Sequence, residues 1–279
     1  MAGKFLFRGR SLAFTPGQPL LMGIVNATPD SFSDGGAYLS VSAATDHGLR
    51  LLQEGAAILD IGGESTRPGA TPVSAEVELS RVVPVVEALR RETAVPISVD
   101  TSKALVAHAA LQAGADIVND VTACEDPGMF AVLTEFHAGC VLMDSRSLPQ
   151  DCEEPLVEIR RYLRERRKAA MLATGLPPEH FLLDPGVGFG KTLEQNLVCI
   201  RQASLLDDVS GVLLGVSRKS FIGKLSGEQE PSRRLPGTLA VALMSRDVSV
   251  LRVHDVAAHH QALRVAEALS SDNDEIKKS

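Results

Sequence analysis

The 279-residue sequence has no surplus of positive charge. It carries 28 lysines and arginines against 35 aspartates and glutamates, a formal net charge of −7 and a pI of about 5.5. That balance argues against general affinity for nucleic acid and leaves only a local basic pocket for a small anion. Long apolar runs are missing as well. None approaches the roughly 18 residues of a membrane span, so no membrane association is expected. The opening Met-Ala-Gly-Lys-Phe-Leu-Phe-Arg-Gly-Arg has charges inside its apolar stretch, unlike a secretory signal. Cysteine is scarce. Cys124, Cys140, Cys152 and Cys199 lack metal-site spacing and read as reduced thiols of a cytoplasmic protein. No linker or low-complexity stretch divides the chain. No Gly-x-Gly-x-x-Gly turn follows the first strand-like run, which disfavours an open dinucleotide-binding sheet.

What is present is a repeat of short apolar runs and amphipathic segments. Apolar content is 44%, ample for one large core. Strand-like runs fall at 20–25, 58–61, 96–99, 116–118, 140–143, 181–183, 212–216 and 250–253. They are apolar on both faces, as in a parallel sheet covered by helices. Eight such units predict an α/β fold, a single (β/α)8 TIM barrel over residues 1–270 with a flexible tail at 271–279. Residues 4–15 read as an N-terminal β-hairpin closing the barrel floor. Segment 74–92 has helical spacing of Val77, Leu79, Val82, Val83, Val86 and Leu89. Ser74 and Thr101-Ser-Lys read as helix starts, and Gly55, Gly114 and Gly175 as helix ends. The basic stretch 160–168 is expected to be a solvated helix face, and His259-His260 to lie on the surface.

Seven polar motifs follow these strands. They are Asn26-Ala-Thr-Pro-Asp-Ser-Phe-Ser-Asp-Gly-Gly36, Gly63-Glu-Ser-Thr-Arg-Pro-Gly69, Ser98-Val-Asp-Thr-Ser102, Val118-Asn-Asp120, Asp184-Pro-Gly-Val-Gly-Phe-Gly190, Ser217-Arg-Lys-Ser220 and Arg252-Val-His-Asp255. A parallel barrel sets all its strand C-termini on one rim, so these segments converge. Asp100, Asn119 and Asp184 can hydrogen-bond along the edge of a planar, amidine-rich heterocycle, or each Asp can cap the following helix. Barrel closure puts Asn26, Arg67, Arg252 and His254 on adjacent strand ends. That set suits a diphosphate, with the Asn26 amide oxygen able to ligate Mg2+; surface ion pairs for the arginines are the alternative. Lys219 can face the pocket while Arg218 lines its entrance. Loops 26–36 and 63–72, carrying Phe32 and Pro68, can close over a substrate.

In this order the motifs make the chain resemble the bacterial dihydropteroate synthases. The resemblance implies a (β/α)8 barrel, commonly a homodimer. It would join 6-hydroxymethyl-7,8-dihydropterin diphosphate to 4-aminobenzoate in an SN1-like, Mg2+-dependent reaction. It implies pterin contacts at Asp100, Asn119, Met143, Asp184 and Lys219. Diphosphate and Mg2+ would fall to Asn26, Arg67, Arg252 and His254. Thr66, Pro68, Phe189, Lys219 and Ser220 would line the 4-aminobenzoate pocket, covered by Phe32. Arg67, Lys219, Arg252 and His254 would carry the catalytic work. Two departures stand out. After the fifth strand the family's Met-His-Met is Met143-Asp144-Ser145-Arg146 here, and the stretch 245–249 is shortened. Kept beside this reading are a methyltetrahydrofolate methyltransferase-like enzyme and a non-catalytic pterin-binding paralogue.

Overall fold

Arg8 and Gly9 both take positive φ, 46° and 72°, the backbone of a two-residue hairpin turn. They join β1 (Lys4–Phe7) to β2 (Arg10–Ala13), an antiparallel pair apart from the main sheet. The structure is a computed structural model that describes residues 3–27, 36–64, 71–207 and 209–270. Phe32, Thr66, Arg67, Pro68 and the tail 271–279 lie outside the described residues.

The main sheet has eight parallel strands. They are β3 (Leu20–Asn26), β4 (Ile58–Gly62), β5 (Ile97–Asp100), β6 (Ile117–Asp120), β7 (Gly139–Met143), β8 (Phe181–Asp184), β9 (Leu213–Gly215) and β10 (Val250–Val253). Their order is β8-β7-β6-β5-β4-β3-β10-β9, and an isolated parallel bridge between Leu183 and Val212 links the two outer strands. The result is a nearly closed barrel, as the count of eight implied. Helices fill the intervals: α1 (Gly36–Gln53), α2 (Ala75–Glu92), α3 (Ala104–Ala113), α4 (Met129–Phe136), α5 (Pro155–Thr174), α6 (Leu193–Arg201), α7 (Ser220–Ser226), α8 (Leu235–Met244) and α9 (Val256–Ser270). Ser74 caps α2 by accepting from Val77 N at 3.4 Å, and left-handed Gly114 and Gly175 end α3 and α5. No helix of the described residues is long and apolar enough to cross a membrane.

Strand alternation sorts the interior into layers. One parity, including Leu59, Val99, Val118, Leu142 and Leu251, packs outward under the helices. The other parity begins at the bottom with Met22, Ile58, Ile117, Val141, Leu182, Leu213 and Val250, which cluster with Phe5, Phe7 and Phe14. The hairpin therefore plugs the barrel floor. Gly139 permits this seat, since a Cβ there would stand 2.6 Å from Phe5 Cζ. Two residues further up, the inward positions become Asp60, Asn119, Met143, Asp184, Gly215 and Arg252, with Ile24 on β3 below Asn26. An apolar floor thus underlies a polar mouth.

Several local expectations are corrected. His259 is buried: it sits one helical turn after buried Val256 on α9, with Nδ1 2.7 Å from Asp255 O, and only His260 is exposed. The α2 stripe is displaced at its start. Val77 is exposed and Glu78 buried, because Glu78 meets Lys103 from the next unit. The basic face of α5 is not all solvated. Arg167 is buried against Asp207 Oδ2 at 2.7 Å, and Arg166 Nε donates to Ala123 O at 2.8 Å.

Phe5→Ala should destabilise the fold by about 3–5 kcal/mol, the usual cost of emptying a buried aromatic site. Urea unfolding measures this. Turnover of the folded fraction should stay within about twofold, because Phe5 lies at the end of the barrel away from the polar mouth.

Candidate active site

Strand register brings the first polar residues level. Asn26 pairs with Gly62, Gly62 with Asp100, Asp100 with Asn119, and on the far side Met143 with Asp184. They surround a cavity of about 390 Å³ at the strand C-termini. Asn26, Asp100, Asn119, Met143, Asp184, Phe189, Lys219, Ser220, Arg252 and His254 all line it. Every sequence-predicted site residue that the structure describes is therefore in one place. Arg218 also lines the cavity, with its guanidinium held by both oxygens of Asp255.

At the centre, Arg252 Nε donates to Asp60 Oδ2 at 2.6 Å and Nη2 donates to Asp100 Oδ2 at 2.7 Å. Asn119 Nδ2 donates to the same Asp60 oxygen at 3.1 Å. The second oxygens of Asp60 and Asp100 are buried without a hydrogen-bond partner among the described residues. Asp60 was not singled out from sequence. Its signal was there: a lone carboxylate in the apolar strand Ile-Leu-Asp-Ile-Gly, on the same parity as the other inward residues.

Asp184 and Lys219 form the opposite wall. Asp184 Oδ1 accepts from Gly186 N at 2.7 Å, closing a local turn rather than capping α6, whose cap is Thr192. Lys219 donates to Val187 O, and its Nζ lies 4.8 Å from the Phe189 ring centre. His254 Nδ1 is 2.9 Å from Ser217 Oγ, which also accepts from His254 N at 3.2 Å. Gly186, at φ 66°, lies so close to the β7 loop that a Cβ would fall 1.9 Å from Asp144 O.

The departure after β7 has a clear local form. Asp144 is fully buried, and its carboxylate is engaged twice by Arg146, at 2.7 and 3.0 Å. The Arg146 guanidinium stacks 3.5 Å above the Tyr162 ring. Lys191 Nζ donates to Asp144 O at 2.7 Å and to Phe189 O at 3.2 Å. This cluster braces the Phe189 loop from behind, while Met143 alone of the segment faces the cavity.

Burial dominates the electrostatics. It pushes Asp100 up to about 7 against the pull of Arg252, with Asp60 adding to the rise. It also raises Asp184, against Lys219 and the Gly186 N–H. Burial lowers Lys219 to about 8, although Asp184 works the other way. Arg252 stays charged: desolvation opposes it, but Asp60 and Asp100 raise it further. Asp100 and Asp184 thus face the cavity beside Lys219 and Arg252, with Asp60 buried behind them. The mouth has spare acceptors for a ligand rich in N–H groups.

A model of the family described as pterin binding enzyme matches residues 22–254, from β3 through the end of the last barrel strand. The dihydropteroate synthase of Synechocystis is 44% identical over 259 residues, covering 89% of each chain. The chain belongs to the dihydropteroate synthase family. A solved Xanthomonas albilineans dihydropteroate synthase with 4-aminobenzoic acid is similar at a TM-score of 0.88 and 45% identity, covering 97% of this chain and 99% of that one. The same organism's enzyme in complex with 7,8-dihydropteroate is similar at 0.85 and 43%, with 96% and 99% covered. The barrel and hairpin read from sequence are those of the family.

Because Asp184 raises the Lys219 pKa, Asp184→Ala should move the Lys219 titration below about 8. NMR of 13C-methylated lysines, with Lys219→Arg to assign the signal, reads the shift. An upward move would show that Asp184 does not govern this lysine.

Proposed function

We infer that the cavity carries out the family's reaction, a transferase step of folate biosynthesis. It joins 6-hydroxymethyl-7,8-dihydropterin diphosphate to 4-aminobenzoate, giving 7,8-dihydropteroate and diphosphate. The observation that carries this reading is the set of buried acceptors, Asp100, Asn119 and Asp184, around a cavity flanked by Lys219 and Arg252. A dihydropterin presents N–H donors along one edge and a carbonyl oxygen, which match the carboxylates and Lys219 respectively. Met143 packs against the ring.

The chemistry we propose is SN1-like. The carbon–oxygen bond to diphosphate breaks first, and the electron pair leaves with the diphosphate. The amine nitrogen of 4-aminobenzoate then bonds the methylene carbon, and its proton passes to water or to the released diphosphate. The proposed step needs no covalent bond to the protein, so the work of the cavity residues is positioning and charge stabilisation. Two N–H groups of Arg252 go to the carboxylates, and the rest of its five donors remain for the leaving diphosphate with His254 and Asn26. Arg67 would join them. Phe189, Ser220, Lys219, Thr66 and Pro68 would hold 4-aminobenzoate, with Phe32 closing over it.

Asn26 offers a hard amide oxygen at the rim. That donor set suits Mg2+, which commonly takes one protein ligand or two and completes its shell with phosphate oxygens and water. When bound it would offset charge on the diphosphate. We further propose a homodimer in the cytoplasm. Met244 on α8 and Val265 and Leu269 on α9 are 84%, 55% and 82% exposed on helices that pack together, an apolar face suited to a second copy. The four free cysteines accord with a reducing compartment.

The direct assay is product formation by the purified protein. Formation of 7,8-dihydropteroate should require both pterin diphosphate and 4-aminobenzoate, with one diphosphate released per product. No product with both present would refute the assignment. Asp184→Ala should weaken a pterin analogue by about 2–5 kcal/mol in calorimetry, the cost of leaving donors without their charged partner. Arg252→Ala should lower turnover roughly a hundredfold, as for loss of one preorganised donor.

A further inference from the structure

Asp60 stands behind the cavity wall rather than on it. It is fully buried on β4, and it is not among the residues lining the cavity. In the strand order β6-β5-β4-β3-β10, β4 lies midway between the strands of Asn119 and Arg252. One carboxylate oxygen of Asp60 accepts from both, at 3.1 Å from Asn119 Nδ2 and 2.6 Å from Arg252 Nε. We propose that Asp60 is a positioning residue that aims the Arg252 guanidinium and turns the Asn119 amide so that its carbonyl oxygen is presented to the ligand. The proposal rests on the pterin reading of the cavity.

The amide orientation follows from donor and acceptor chemistry. A carboxylate paired with a guanidinium only accepts. Asn119 must therefore turn its NH2 toward Asp60, since the flipped amide would set two acceptors against each other in a buried site. The Asn119 oxygen is then the atom available to a ring N–H. For Arg252 the constraint is directional. Asp60 takes Nε, and Asp100 takes Nη2. Two carboxylates on neighbouring strands hold one planar cation, so its plane is set by the barrel rather than by its flexible stem. Ordinary core stabilisation would not need these two site residues to share a single oxygen.

Double-mutant cycles separate positioning from mere stability. Calorimetry with 6-hydroxymethylpterin is run on the whole protein, on Asp60→Asn, on Asn119→Ala and on the pair. Asp60→Asn alone should weaken binding at least about tenfold, as for loss of a hydrogen bond to a charged group. In the Asn119→Ala background it should cost less than about twofold. A parallel cycle reads kcat against Arg252→Ala, where the Asp60 effect should again vanish. Equal losses in both backgrounds would overturn the proposal. Asp60→Ala is carried alongside, so that one poorly folding variant does not decide the outcome. A ligand-free measurement stands apart from the pterin reading. By NMR, the Asn119 side-chain amide protons of the wild-type protein should exchange at least about tenfold more slowly than those of Asn26. Fast exchange there would refute the Asp60–Asn119 anchor. Failure of the wild-type protein to bind the pterin would instead sink the function assigned to the cavity.

Discussion

A single guanidinium wedged between two buried carboxylates organises the mouth of this barrel. Arg252 rises from β10 and bonds Asp60 on β4 and Asp100 on β5, so three strands are tied by one planar cation. Taking any one of these charges out of water is costly, and removing one partner of a buried pair typically costs about 3–5 kcal/mol. The arrangement persists because the layer beneath is apolar and sealed. Phe5, Phe7 and Phe14 plug the floor, which keeps water from reaching the ion pair from below. Floor and site are therefore one construction, with the hairpin supplying the dryness that makes the charges above it act strongly.

The same geometry leaves buried acceptors unmatched. One oxygen of Asp100, on the cavity wall, and one of Asp60, behind it, have no hydrogen-bond partner among the described residues. Burial already drives Asp100 and Asp184 toward their neutral forms and Lys219 toward its own. A ligand bringing several N–H donors relieves that imbalance. Preorganised acceptors of this kind give selectivity, because a ring lacking the donors leaves buried acceptors unmatched.

The wall formed by the loop after β8 depends on residues that never touch the cavity. Gly186 can approach Asp144 O only without a side chain, and Lys191 ties that carbonyl to the Phe189 carbonyl. Where the family commonly has histidine, this chain has Asp144, neutralised by Arg146 and covered by Tyr162. The substitution keeps the loop braced by a different set of charges. Phe189 and Lys219 remain side by side at the entrance.

The sequence by itself determined the repeat of eight strands and helices, the floor hairpin, and the rim residues Asn26, Asp100, Asn119, Asp184, Lys219, Arg252 and His254. These are local signals. Apolar runs, turn glycines and polar strand ends are written within a few residues, and a parallel barrel brings every strand end to one rim. Only the tertiary structure decided which side chains meet. Asp60 and Arg252 are 192 positions apart, and Arg167 and Asp207 are 40. Glu78 is buried because Lys103 arrives from the following unit, and His259 because α9 folds back beside β3. No periodicity within a helix or strand encodes such partners. A charged residue reads as solvated until the closed barrel supplies the opposite charge that makes its burial tolerable.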